Sequence, residues 1–213
     1  MQKQNRITTL VVLLASVFLL TACGAKKPDT QIEPTPTVTK LIELKPEDQP
    51  YIKLIPRADG YELKLVVQKL NSNITEVDYE LVYTATDNGQ EIEKGVSGNI
   101  KVEGKSVERD LLLGTASCTN GCKYKYDTGV SQGTLSLTLA TSSGQVSTYE
   151  TPFTLKSAAA VKKEKEIGLP TENFSTKITP KTGEYYTIIK NALVYSVFSS
   201  NAGNSLVSET PLK

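Results

Sequence analysis

The sequence predicts an all-β protein: an antiparallel two-sheet sandwich of about seven strands, followed by a small C-terminal β segment. Three observations carry this. From Tyr51 onward apolar and polar residues alternate with period two, as strands with one buried face require. Turn signals built from Gly, Asn, Asp and Pro recur about every eight to twelve residues. The composition has 10 Tyr against 4 Phe and no Trp, with Thr, Ser and Val plentiful, which favours pleated, half-buried strands over helices.

The chain opens on a different pattern. Lys3 and Arg6 are followed by an apolar run from Leu10 to Leu20 and by small residues. This run is too short to cross a hydrocarbon core of about 30 Å as a helix, and its flanks read as a secretory signal over residues 1–22. The stretch Leu20-Thr21-Ala22-Cys23, followed by Gly24, resembles the lipobox of bacterial lipoproteins. The resemblance implies a diacylglycerol (palmitate-type chains) on the Cys23 thiol and cleavage before it. It also implies attachment to the cell membrane on the extracytoplasmic face. Each buried acyl CH₂ contributes about 0.8 kcal/mol, so two or three chains hold firmly.

Residues 23–50 read as a disordered Pro/Thr-rich tether. The run Glu33-Pro34-Thr35-Pro36-Thr37 buries little, and a flexible chain of this length reaches roughly 30 Å. Leu41 to Leu44 fit a short strand within it.

The sandwich is expected over 51–156. Leu63, Leu65 and Val67 alternate with Glu62, Lys64 and Val66, and Val77, Tyr79, Leu81, Tyr83 and Ala85 share another face. Asn88-Gly89 is a hairpin turn, because both residues tolerate positive φ. Strands at Glu91–Lys94, Ser97–Val102 and Ser106–Leu113 follow. Arg109 shares a face with Val107 and Leu111, which places it near a sheet edge or makes its stem snorkel. Leu135, Leu137 and Leu139 mark a strand from Gly133 to Thr141, and Val146 to Leu155 returns. In size and rhythm this resembles immunoglobulin-like and fibronectin type III modules. The resemblance implies their sandwich fold, without the inter-sheet Cys pair or core Trp of antibody domains.

Between these strands, Gly114 to Gly133 reads as the longest irregular stretch. It holds Thr119, Asn120, Lys123, Tyr124 and Tyr126, the candidate binding loop, since long loops on rigid scaffolds tend to carry binding residues. Lys123 to Tyr126 fit a short strand. Of three cysteines, a lipidated Cys23 leaves Cys118 and Cys122. Outside the cytosol a disulfide is their default, and Asn120-Gly121 supplies the turn that brings them together.

Residues 157–170 break the pattern with Ala, Lys and Glu, a partly helical connector. Residues 171–213 return to strands around Thr179 to Gly183 and Asn201 to Asn204. Alone they bury little, so they either pack on the sandwich or form a minimal β module.

Function narrows by exclusion. The chain has no His, which removes His-based acid–base chemistry, His-containing triads and His metal ligands. No metal or cofactor site is expected. Net charge is +1, and −1 after loss of Lys3 and Arg6, with no basic block for nucleic acid. Lys181-Thr182-Gly183 and Ser97-Gly98-Asn99 match fragments of penicillin-binding proteins, but Ser-x-x-Lys is missing, so they read as turn chemistry. The expectation is a non-catalytic, lipid-anchored binding or scaffolding module of the cell envelope. Its partners are the membrane through Cys23 and a cell-wall polymer or envelope protein. The alternative is a carboxylate-dependent glycoside hydrolase, with an Asp/Glu pair about 5–10 Å apart in a cleft, or an envelope-assembly carrier.

Overall fold

The computed structural model describes residues 40–212. Cys23 and the signal lie outside the described residues. The elements in chain order are β1 (Lys40–Leu41), β2 (Tyr51–Pro56), β3 (Glu62–Gln68), β4 (Ile74–Asp87), β5 (Gln90–Lys101), β6 (Ser106–Leu112), β7 (Gly114–Cys118), β8 (Cys122–Tyr126), β9 (Gln132–Thr141), β10 (Gln145–Ser157), α1 (Ala158–Glu164), β11 (Ile167–Leu169), β12 (Phe174–Thr176), β13 (Tyr185–Lys190), β14 (Val194–Ser199) and β15 (Leu206–Pro211).

Seven of these strands make the sandwich. One sheet has the order β2-β3-β6, and the facing sheet begins β5-β4-β9-β10. Strands one, two and five thus oppose strands four, three, six and seven, an immunoglobulin-like arrangement. The facing surfaces are those predicted by alternation. Leu63, Leu65 and Val67 of β3 are fully buried against Val77, Leu81 and Tyr83 of β4 and Leu135, Leu137 and Leu139 of β9. Each such side chain contributes about 1.5–3 kcal/mol of hydrophobic stabilisation. Arg109 lies exposed on β6, an edge strand.

The β4–β5 hairpin turns at Asn88-Gly89, with φ of 49° and 80°. Sequence punctuation at Gly95 splits β5 into two short strands, but the structure has one, paired with β4 from Gln90 to Lys101. The glycine sits in an extended ladder rather than in a turn. Gly98 leaves room for a neighbour in the same ladder. A Cβ on it would run into the Tyr79 ring.

Residues 171–213 do not form a sheet of their own. β13 pairs with the second half of β10, from Phe153↔Ile189 to Ser157↔Tyr185, and β14 and β15 follow, so the large sheet continues as β10-β13-β14-β15. β13 and β14 are covered on both faces. Ile189 and Phe198 join the sandwich core, whereas Tyr186, Ile188, Tyr195 and Val197 pack with Val161 of α1 and Ile167 and Leu169 of β11. Two covered faces explain why these strands read as nearly continuous apolar runs. The connector folds as expected for its composition: Ser157 caps α1 by accepting from Ala160 N at 3.3 Å, and Lys165 ends it in the left-handed region at φ 66°.

The end of the 23–50 spacer already belongs to the domain. β1 runs parallel to the start of β10, Ile42 N donates to Val146 O at 2.8 Å, Leu44 packs on the core and Pro50 is buried. Residues from Lys40 to Pro50 thus pack on the domain, because β10 offers a free edge before β13 takes it over. No helix among the described residues is long and apolar enough to cross a membrane.

Candidate functional site

β9 sets the two poles of the sandwich. At its end, Thr141 lies opposite Ile74, Ala140 lies opposite Val146, and β1 enters beside Gln145. At its start, Gly133 lies opposite Tyr83, close to the β4–β5 turn. A strand of this length separates the poles by roughly 30 Å. The pole at the start of β9 carries the candidate site.

A hairpin, β7–β8, rises there; the sequence predicts its second strand at Lys123 to Tyr126 and the Asn120-Gly121 turn, but reads the first strand as irregular. It pairs in full register from Gly114↔Tyr126 to Cys118↔Cys122, closed by Thr119-Asn120-Gly121 with Gly121 at φ 90°. Cys118 and Cys122 face each other at disulfide distance, their Cα atoms 4.1 Å apart. The sequence hides the first strand because both its faces meet solvent, so no apolar alternation marks it. Gly114, at φ 154°, opens it where a Cβ would strike the Lys125 carbonyl.

The base of the hairpin is fixed by a buried carboxylate. Asp127 is 7% exposed. Its N donates to Leu113 O at 2.9 Å. Its carboxylate accepts from the Tyr83 hydroxyl at 2.8 Å and from Lys94 Nζ at 2.5 Å. Burial, reinforced by Asp127, pushes the Tyr83 phenol well above the usual tyrosine range. Beyond it, Thr86 N donates to Thr128 O at 2.7 Å. β4 and β5 thereby set the hairpin's direction.

Tyr124 and Tyr126 share one face of the hairpin, and Lys123 lies on the other. Tyr126 stacks on Tyr61, of the β2–β3 turn, with centroids 4.6 Å apart and planes 12° from parallel. Tyr124 continues the series at 6.1 Å and 2°. The three rings remain 37–55% exposed, an unusual exposure for a contiguous aromatic set. Arg57 lies 5.7 Å from the Tyr126 centroid. Its Nε donates to both Asp59 oxygens at 2.9 and 3.0 Å, and Nη1 donates to Glu62 Oε2 at 3.0 Å. The guanidinium holds the Asp59 carboxyl below its ordinary value, and Asp59 also accepts from Tyr61 N at 3.0 Å. Turn, arginine and ring row form one continuous structure.

Beyond Arg57 a groove of about 430 Å³ runs between the β2–β3 turn and the β14–β15 loop, with Lys64, Asp110, Ser200 and Asn201 on its walls. Its carboxylates are paired: Glu62 with Arg57, and Asp110 with Lys64 at 3.8 Å. Among the described residues no group of three or more metal-ligating side chains comes together.

Of the candidate residues named from sequence, Tyr124 and Tyr126 meet in the row, Thr119 and Asn120 form the hairpin tip, and Lys123 points away. Sequence reasoning missed Tyr61 and Arg57. Tyr61 reads as an ordinary strand residue, and the only available signal was its place in the turn Arg57-Ala58-Asp59-Gly60. No protein-family model, curated protein or solved structure matches the chain.

Proposed function

We propose that this chain is a non-catalytic, lipid-anchored binding or scaffolding module on the extracytoplasmic face of the cell membrane, and that it meets its partner through Tyr61, Tyr124 and Tyr126. The observation that carries this reading is placement. The exposed ring row occupies the pole opposite the one where the chain enters the domain at Lys40. Aromatic rings give large rigid contact area at low entropic cost, and they are enriched where proteins bind partners. The pairing of the groove carboxylates with Arg57 and Lys64 favours holding over hydrolysis, since a general acid needs a carboxyl kept protonated.

The test is photo-crosslinking in intact cells with a benzophenone amino acid at position 124, and at position 71 of the opposite pole as control. Products with a cell-wall polymer or an envelope protein are expected from position 124, to be lost on Tyr126→Ala. Equal crosslinking from both positions overturns the assignment. Replacement of Cys23 by Ala releases the chain from the membrane fraction if the lipid anchor is right, and leaves it there if not.

A further inference from the structure

Resting on that reading, we propose the ligand class: a neutral glycan strand of the cell's own wall. Its pyranose faces stack on the tyrosine row and its hydroxyls enter the groove beyond Arg57.

Two features select this chemistry. The first is the mixture of surfaces. Three near-parallel rings lie open to solvent, Tyr124 at 55% exposure. They adjoin a groove whose walls offer carboxylates, a guanidinium, an ammonium, Ser200 and the Asn201 amide. A sugar has an apolar C–H face for a ring and a fringe of hydroxyls that both donate and accept. A purely apolar ligand leaves the groove's polar groups unused, and an extended peptide looks instead for an open strand edge.

The second is charge. Around the groove Arg57 is bound to Asp59 and Glu62, and Lys64 lies between Glu108 and Asp110, both at 3.8 Å. An anionic or cationic ligand has to displace one of these internal partners. A neutral hydroxyl donates to the carboxylate and accepts from the cation of the same pair, leaving the pair in place. Lys123 and Lys125, the hairpin's own cations, lie on the face turned away from the tyrosines. The wall is the source because a tether from Cys23 confines the site to the envelope.

The full mature chain is titrated with three probes: the N-acetylglucosamine hexamer, cellohexaose and purified wall glycan strands stripped of peptide, with the carboxylates this exposes capped as methyl amides. The readout is the NMR signals of the tyrosine rings, an uncrowded region in a chain without Trp or His. Shifts confined to Tyr61, Tyr124 and Tyr126, with the wall strands binding tightest, are expected. Tyr124→Ala, an exposed change that leaves the Asp127 anchor intact, weakens binding about three- to tenfold. Binding stays constant as salt is raised, because a neutral ligand is not screened. Steep loss of binding with salt overturns the neutral class, and unmoved rings with all three probes overturn the glycan. If the rings stay unmoved while position 124 still crosslinks in cells, the ligand class fails and the tyrosine surface stands. If both fail, the surface falls as well.

Discussion

The side-chain amide of Asn191 stands in for a neighbouring strand beside Ile52. Its Oδ1 accepts from Ile52 N at 2.8 Å, and its Nδ2 donates to Ile52 O at 3.0 Å, across 139 positions of sequence. Ile52 lies on β2, the edge of the small sheet, and its backbone groups point outward. An open edge invites pairing with other chains. Here the C-terminal strands close it with side chains, since the Thr187 hydroxyl also donates to Leu54 O. At the same seam Tyr149 and Thr151 of β10 donate to Lys190 O at 2.6 and 2.8 Å, where β13 parts from β10. Residues 171–213 are thus bound to the sandwich through buried polar contacts as well as through shared core.

Asn191→Leu removes both bonds and leaves two buried backbone groups on β2 without partners; the Ser196 hydroxyl, to which Asn191 Nδ2 also donates at 3.0 Å, keeps its bond to Glu209 Oε1 at 3.3 Å. At about 1–3 kcal/mol for each unsatisfied group, the loss is about 3 kcal/mol. Asn191→Asp does not restore it, because a carboxylate accepts from Ile52 N but repels Ile52 O. Urea unfolding measures both. A change in midpoint equivalent to less than about 0.5 kcal/mol for the leucine variant removes the edge-closing role.

Asp127 is the equivalent joint at the other pole. Asp127→Ala strands the Tyr83 hydroxyl in the core and frees Lys94. The expected cost is about 3 kcal/mol, with loss of the cross-ring contacts between Tyr61 and Tyr126 in NMR. Asp127→Asn still accepts from Tyr83 and should keep more of both. If Asp127→Ala leaves the ring contacts unchanged, the hairpin is held by something other than this carboxylate.

Most of the sandwich is legible in the sequence because burial on one face imposes a period of two. Leu135, Leu137 and Leu139 can be placed without a structure. The first strand of the hairpin escapes because its residues bury nothing, so Thr115 to Ser117 resemble any polar loop, whereas Lys123 to Tyr126 reads as a strand. β13 and β14 show their strand character, but their place beside β10 rests on pairings such as Ile189 with Phe153, and no local pattern encodes those. The tyrosine row is half legible for the same reason. Tyr124 and Tyr126 are two residues apart and announce a shared face, whereas Tyr61 reaches them through the β3–β6 pairing, extended by the Leu113 N–Tyr61 O bond of 3.0 Å, contacts between distant segments.

Alkaline pH should weaken the same seam. Burial pushes the Tyr149 phenol up to about 12, and burial with Glu209 as acceptor does the same for Tyr51. In the unfolded chain both ionise near the ordinary value of 10. Below that value neither state is ionised and the full stability is present. As pH rises from about 10 to about 12 the unfolded chain loses its protons first, so stability falls, by about 2 kcal/mol at most for the buried Tyr149. Tyr149→Phe should flatten the decline, with Lys190 O still accepting from Thr151. An unchanged slope in the variant's stability profile refutes this assignment.

The Cys118–Cys122 pair should protect the hairpin rather than the fold. It closes a loop of only five residues, for which chain entropy gives about 2 kcal/mol. β8 is exposed throughout, as is nearly all of β7, and an isolated two-stranded hairpin is marginal in water. The sandwich core lies on the other side of Asp127. Reduction, or Cys118→Ser with Cys122→Ser, should therefore release β7 and β8 to fast amide exchange while β4 and β9 exchange as before. The urea midpoint should move little, because opening of the hairpin does not require opening of the core. Stacking of Tyr126 on Tyr61 and of Tyr124 on Tyr126 should loosen with it, so the tyrosine row depends on the bond even though the sandwich does not. If the midpoint falls by the full amount while hairpin amides stay protected, the hairpin opens only with global unfolding, and the cysteines stabilise the whole domain.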